Sequence, residues 1–169
     1  MIHTDTSGLL KGMGHKLSIA VQEFSGQVRL SEKTANLHMK VSLESLVVTD
    51  NISKKDKKEI EQSMRNEVFN LKKFPQAEFK STEVKGYQED RKNFEIQIKG
   101  DLSLHAVTRK ITIPVRVDIM KDRLKAQGEF QIRQTDFKIK LYSILGGALK
   151  VKDELKLTFD LTARSAYPS

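Results

Sequence analysis

Apolar and polar residues alternate with a period of two along most of the chain. Leu37, Met39, Val41 and Leu43 alternate with Asn36, His38, Lys40 and Ser42, and Phe94, Ile96, Ile98, Leu102 and Leu104 alternate with Glu95, Gln97, Lys99, Ser103 and His105. Ile111, Ile113, Val115, Val117 and Ile119 stand against Thr112, Pro114, Arg116 and Asp118, and Leu155, Leu157, Phe159 and Leu161 against Glu154, Lys156, Thr158 and Asp160. Successive side chains of a strand point to opposite faces, so the pattern predicts antiparallel strands with one dry face and one wet face. Further strands are predicted around Thr4 to Lys11, Val21 to Leu30, Ala77 to Val84 and Leu124 to Ile132, about eight in all with hairpin-length links. Eight antiparallel strands suit a closed barrel, which removes exposed edges and is either filled by side chains or holds one ligand; a sandwich is the alternative.

One segment departs from this period. Ser53-Lys54-Lys55-Asp56 has the form of a helix cap, and Ile60, Met64, Val68 and Leu71 follow at helical spacing until Phe74-Pro75. One amphipathic helix over about residues 53–72 is predicted, covering a barrel end. The fold class is therefore all-β, an eight-stranded antiparallel barrel with one helix. At 169 residues the chain forms one domain, residues 1–169, and its 38% hydrophobic content is spaced as a folded core requires.

The net charge of +8 changes little, because the lysines alternate with apolar residues instead of clustering with aromatics. That reads as the solvated face of strands, compatible with transient contact with anionic membrane surfaces and not with nucleic-acid binding. No window of about 18 apolar residues is present to form a membrane-spanning helix. Met1 to Thr6 lacks an apolar leader core, which suits either a cytoplasmic start or the mature start of a periplasmic or secreted form. The chain has no cysteine, so disulfides, thiolate nucleophiles and cysteine zinc sites are absent.

Candidate chemistry is sparse. His3, His15, His38 and His105 are far apart and show no metal-ligand spacing, and His38 and His105 fall on wet faces, so no metal and no cofactor is expected. Gly12, Gly14 and His15 do not make a phosphate loop, and no nucleophile elbow or inward carboxylate pair is visible. The informative feature is Gly26, Ala35, Ala77, Gly100, Ala126, Gly128 and Ala163, small residues on dry faces whose strand neighbours are large. Either they leave the lumen hollow, or they relieve strand curvature and interlock with large residues.

Three stretches together resemble the YceI-like family of polyisoprenoid-binding, lipocalin-like bacterial barrels: Lys73-Phe74-Pro75-Gln76-Ala77-Glu78-Phe79-Lys80-Ser81, Gly100-Asp101-Leu102-Ser103-Leu104-His105-Ala106-Val107-Thr108-Arg109, and Val151-Lys152-Asp153-Glu154-Leu155. The family's usual glycine after the histidine is Ala106 here, and Gly12-Met13-Gly14-His15 resembles a variant branch. The resemblance implies a lumen that takes a long-chain isoprenoid or similar fatty amphiphile, for transport or storage, and no catalysis. A barrel enzyme acting on an apolar substrate is the alternative, and an interaction domain with a filled core is a third. A carrier needs only apolar walls, whereas an enzyme needs inward titratable groups.

On this reading the lumen is lined by Leu37, Met39, Val41, Phe79, Phe94, Ile96, Ile98, Ile113, Val115, Phe130, Leu157 and Phe159. Pro114 on an apparent central strand predicts a bulge or a local opening. Between Phe137 and Leu149 the alternation stops, and Leu141, Tyr142 and Leu145 crowd around Gly146-Gly147. That segment is expected either to plug one end as core or to form the mouth through which lipid enters. A monomer and a dimer are both compatible with the sequence.

Overall fold

The alternating segments form one curled antiparallel sheet in the computed structural model, which describes residues 1–7, 16–31, 34–87, 92–141, 143–144 and 149–165. Its strands are β1 (Ile2–Ser7), β2 (Lys16–Val21), β3 (Phe24–Leu30), β4 (Ala35–Ser42), β5 (Leu46–Val48), β6 (Gln76–Lys85), β7 (Asn93–Leu104), β8 (Val107–Ile119), β9 (Arg123–Arg133), β10 (Ser143–Ile144) and β11 (Leu149–Arg164). The order across the sheet is β3-β4-β6-β7-β8-β9-β11-β1-β2-β5, with β10 beside β11.

The expected eight strands and the observed eleven differ because two strands bend. Gln22 and Glu23 separate β2 from β3, and a 3-10 turn at Leu43–Ser45 separates β4 from β5. The two bent strands stay paired with each other through the bend, β3 with β4 and β2 with β5, and each has its outer neighbour on one side of it only: β1 flanks β2, and β6 flanks β4. The Ser45 hydroxyl fixes the crossing point, accepting from the Glu23 amide at 2.9 Å and donating to the Ser42 carbonyl at 2.7 Å. Counted as single bent strands, β2–β3 and β4–β5 join β1, β6, β7, β8, β9 and β11 as the eight staves, with the two-residue β10 as an addition.

The ring of staves is joined by the β1–β2 pairing at the helix end, where β5 has β2 as its one hydrogen-bonded neighbour among the described residues, and is not joined at the other end. β1 follows β11 from Lys150 to Leu157, and beyond Thr158 β11 pairs with β9 alone. Among the described residues β3 has β4 on one side and no hydrogen-bonded strand on the other. The outer edge of β3 and the last turn of β11 therefore leave that half of the barrel open along one side. Pro114 marks a second interruption, an opening and not a bulge. The β8–β9 ladder runs only from Val115–Gly128 to Ile119–Leu124, so it stops one residue after the proline that lacks a donor.

The helix is shorter than its apolar stripe. α1 spans Lys54–Ser63, and the Ser53 hydroxyl caps it by accepting from the Asp56 amide at 3.1 Å. Met64–Val68 then turn as a π-helix, with the Phe69 amide donating to the Met64 carbonyl at 2.9 Å. An i→i+5 bond places Phe69 over Met64, so a residue outside the expected stripe joins the inward face. Ile60, Met64 and Phe69 pack with Leu17, Leu46, Phe137 and Ile139 into the core of the helix end.

Two of the family-like stretches act at this end. In the turn between β7 and β8, His105 (φ 52°) and Ala106 (φ 59°) are both left-handed, as a two-residue hairpin of this hand demands, and the His105 ring lies 4.4 Å from that of Phe74. Asp153 accepts from the Thr135 amide at 2.9 Å and from its hydroxyl at 2.7 Å, pinning the 3-10 turn Gln134–Phe137 that carries buried Phe137. Burial opposes the Asp153 charge, but those two bonds, with Arg133 nearby, bring its carboxyl below the ordinary value.

Alanine pays a steric penalty at positive φ that glycine does not, so Ala106→Gly is expected to stabilise the protein by about 0.5–1 kcal/mol, read as a raised denaturant midpoint. A carboxyl depressed in the folded chain contributes stability that is present above its unfolded pKa and is lost as pH falls through its folded pKa. Asp153→Asn should therefore lower the melting temperature near neutral pH, and the gap to wild type should narrow as the pH drops below about 4. A gap that stays constant into acid would show that the Asp153 charge adds nothing to the clamp.

Candidate ligand-binding lumen

Away from the helix the barrel is hollow. A cavity of about 470 Å³ runs between the sheet walls. All twelve residues expected on the lumen line it: Leu37, Met39 and Val41 from β4, Phe79 from β6, Phe94, Ile96 and Ile98 from β7, Ile113 and Val115 from β8, Phe130 from β9, and Leu157 and Phe159 from β11. Phe79, Ile96, Ile98, Ile113 and Val115 are buried against one another along the wall opposite the open side. Leu37, Met39, Val41, Phe94, Phe130, Leu157 and Phe159 point inward and yet remain only half-buried. In a filled barrel such side chains would meet partners from the opposite wall; here they meet open space.

The small residues divide into two kinds. Gly26, Ala35, Ala77, Ala126 and Ala163 line the cavity, as the hollow reading requires. Gly100 and Gly128 do not, and they serve the interlocking reading. A Cβ on Gly100 would run into the Phe79 ring and the Lys80 carbonyl, and one on Gly128 would sit 2.6 Å from Phe159 Cζ and against the Pro114 carbonyl. These two glycines leave room for the rings of Phe79 and Phe159 to approach the backbone closely.

Polar groups on this wall are few. Asp160 is the only charged side chain among the described lining residues, and its carboxylate is engaged by Gln127 Nε2 at 2.7 Å and Lys125 Nζ at 3.4 Å. It alternates with Phe159 and Leu161 on β11, so its side chain belongs to the wet face. Tyr87 sits at the opposite wall with its ring edge-on to Phe94, centroids 5.8 Å apart. His38 is likewise on the outer face. Its Nε2 lies 2.6 Å from Glu78 Oε1, and that bond, with Lys80 beside it, holds the Glu78 carboxyl below its usual range although partial desolvation opposes the shift.

The expected mouth is only partly described. Phe137 and Ile139, each 1% exposed, are core of the packed end, whereas Leu141 is 48% exposed and does not line the cavity. Tyr142 and Leu145 lie outside the described residues. Exposed apolar residues that do line the cavity stand instead on β3, where Phe24, Val28 and Leu30 border the open side. Sequence reasoning passed over them, although Phe24, Gly26, Val28 and Leu30 continue the same period of two. It also passed over Val117, Leu124 and Leu161 on the lining, residues carried by the same alternation.

An antiparallel barrel, packed under one helix and hollow with an apolar wall elsewhere, has a lipocalin-like architecture. The YceI-like domain model matches residues 3–163, nearly the whole chain, and the chain belongs to that family. Solved structures agree in fold. BcnA of Burkholderia cenocepacia superposes with a TM-score of 0.68 at 19% identity, covering 96% of this chain and 94% of its own. A polyisoprenoid binding domain from Saccharophagus degradans, implicated in plant cell wall breakdown, superposes with a TM-score of 0.70 at 13% identity, covering 97% and 92%. The YCEI protein of Campylobacter jejuni gives a TM-score of 0.66 at 12% identity, covering 89% and 85%. No curated protein matches the chain in sequence.

The division among glycines can be measured. Gly128→Ala must displace backbone as well as a ring and should cost about 1–3 kcal/mol of stability. At Gly26 a Cβ would meet Met39 Cγ at 3.0 Å and the His38 carbonyl at 3.1 Å, a tight fit partly relieved by a flexible side chain, so Gly26→Ala should cost less. Equal losses in thermal melts of the two variants would contradict the assignment.

Proposed function

We propose that this protein binds a long apolar lipid, an isoprenoid or similar fatty amphiphile, in the barrel lumen, for transport or storage and without chemical conversion. The observation that carries the reading is the set of inward, apolar, half-buried side chains around a cavity of about 470 Å³, a volume within the roughly 300–1,000 Å³ usual for small-molecule sites. The chemistry of the wall favours a chain-like hydrocarbon. Few polar groups point inward to fix a polar substrate, and among the described residues no titratable pair faces the lumen to act as acid and base. That last point favours carriage over the barrel-enzyme alternative.

Magnitudes support the same reading. Burying a five-carbon isoprene unit is worth about 3–4 kcal/mol at ~0.8 kcal/mol per carbon group, so a few units offset the estimated ~4–15 kcal/mol cost of association. Membership of the YceI-like family and the likeness to the polyisoprenoid binding domain from Saccharophagus degradans support the same reading. Phe24, Val28 and Leu30 supply the apolar rim over which a chain passes between lumen and surroundings.

The test is organic-solvent extraction of the purified protein followed by mass spectrometry, which should recover a lipid in near-stoichiometric amount. Ile113 lies midway along β8 on the lumen wall, so Ile113→Asp would place an unpaired carboxylate there and should reduce recovered lipid at least tenfold. Recovery of no lipid from the wild type, together with failure to take up added farnesol or geranylgeraniol, would falsify the reading.

A further inference from the structure

The floor of the lumen is a thin partition. Beneath the main cavity, between the sheet and the helical segment, lies a second cavity of about 40 Å³. Among the described residues four border both spaces: Ile2 of β1, Leu46 of β5, Leu155 of β11, and Phe69. The first three are held by the hydrogen-bonded ladders of their strands. Phe69 belongs to no strand. It reaches the partition because the π-turn at Met64–Val68 rotates it over Met64, and the chain leaves directly afterwards through Asn70 in the left-handed region (φ 48°). Of the four, it is the largest side chain and the one whose position depends on a local irregularity.

The space below the partition suits the end of a hydrocarbon. Its walls are mainly apolar, from Leu17, Ile19, Met64, Val68 and Val151. Its two polar side chains are already engaged within the protein, Gln134 Nε2 with the Lys152 carbonyl at 2.8 Å and Thr4 Oγ1 with the Glu154 carbonyl at 3.4 Å. Phe69 therefore separates an apolar lumen from an apolar extension of it.

We infer that Phe69 is the chain-length stop of the lumen, the side chain against which the inner end of a bound linear lipid abuts. The inference rests on the lipid-binding reading above and adds to it the residue that sets which lengths fit. Removing the ring joins the two cavities and lengthens the apolar path, so a chain that previously protruded at the open side can be drawn in completely.

The experiment offers delipidated protein an equimolar series of linear isoprenoid alcohols, from geraniol upward in single isoprene steps, and reads the bound distribution by native mass spectrometry. Wild type should show a cut-off length. Phe69→Ala should move that cut-off upward by at least one isoprene unit and raise retention of the first excluded alcohol by about tenfold or more. Phe69→Leu preserves more of the packing and should give a smaller shift in the same direction, so the inference remains testable if the alanine variant folds poorly. Ile60→Val, a truncation in the helix core that borders neither cavity, should leave the cut-off in place. Binding by all proteins with an unchanged distribution in both Phe69 variants overturns the length stop while leaving lipid binding intact. No binding of any alcohol by wild type overturns lipid binding itself.

Discussion

The bend where β2 becomes β3 and β4 becomes β5 sets the character of this molecule. A sheet with one dry face has to cover that face, and a straight barrel would do so equally along its length. Here the two paired strands bend together at Gln22–Glu23 and Leu43–Ser45, under the hydrogen bonds of Ser45, and their outer neighbours β1 and β6 stop at the bend. On one side of the bend the walls converge on the helix and exclude solvent; on the other they diverge and leave β3 with a single neighbour. A packed end and a hollow end are two results of one change in strand direction.

The packed end also explains why few polar devices recur there. Asp153 holds the Gln134–Phe137 turn, which inserts Phe137 where the β8–β9 ladder has ended at Pro114, and the Arg109 side chain donates to the Asp136 carbonyl at 3.0 Å from the neighbouring strand. The opening in the sheet and the turn that closes it are thus matched, and the stretch Val151 to Leu155 carries one of the bonds that keep them so. The outer face needs no such matching. Its ion pairs, such as Lys99 with Glu83 and Lys156 with Glu129, are exposed and cross-strand, a class that stabilises weakly and mainly keeps the surface wet.

Most of this was legible where a repeating period carried it. Strands β4, β7, β8 and β11 and their lumen residues follow from alternation because side-chain direction in a strand is fixed by parity. What parity leaves open is distance. Gly128 and Ala126 occupy equivalent dry-face positions two residues apart, and only the Phe159 ring lying over the first distinguishes a packing glycine from a cavity-lining alanine. The count of eight staves holds, but the bends within two of them were not legible, because Gln22-Glu23 contains neither glycine nor proline to announce a change of direction. Phe69 was missed for a related reason: the stripe Ile60, Met64, Val68, Leu71 assumes a constant helical period, and the π-turn inserts one residue into it. The period of two also runs through Phe24, Val28 and Leu30, but nothing in it marks that strand as an unpaired edge.

The hollow half leaves the protein with an incomplete core. Side chains such as Leu157 and Phe130 pack against neighbours in the wall yet stay only half-buried beside the cavity, so part of the dispersion energy available to that half would be realised only with something apolar in it. On the proposed reading a guest would take the place of the missing opposite wall, and its binding free energy would add to that of folding through mass action. In such a protein thermal stability is a joint property of polypeptide and contents, and a broadened or double melting transition would report how many molecules are filled.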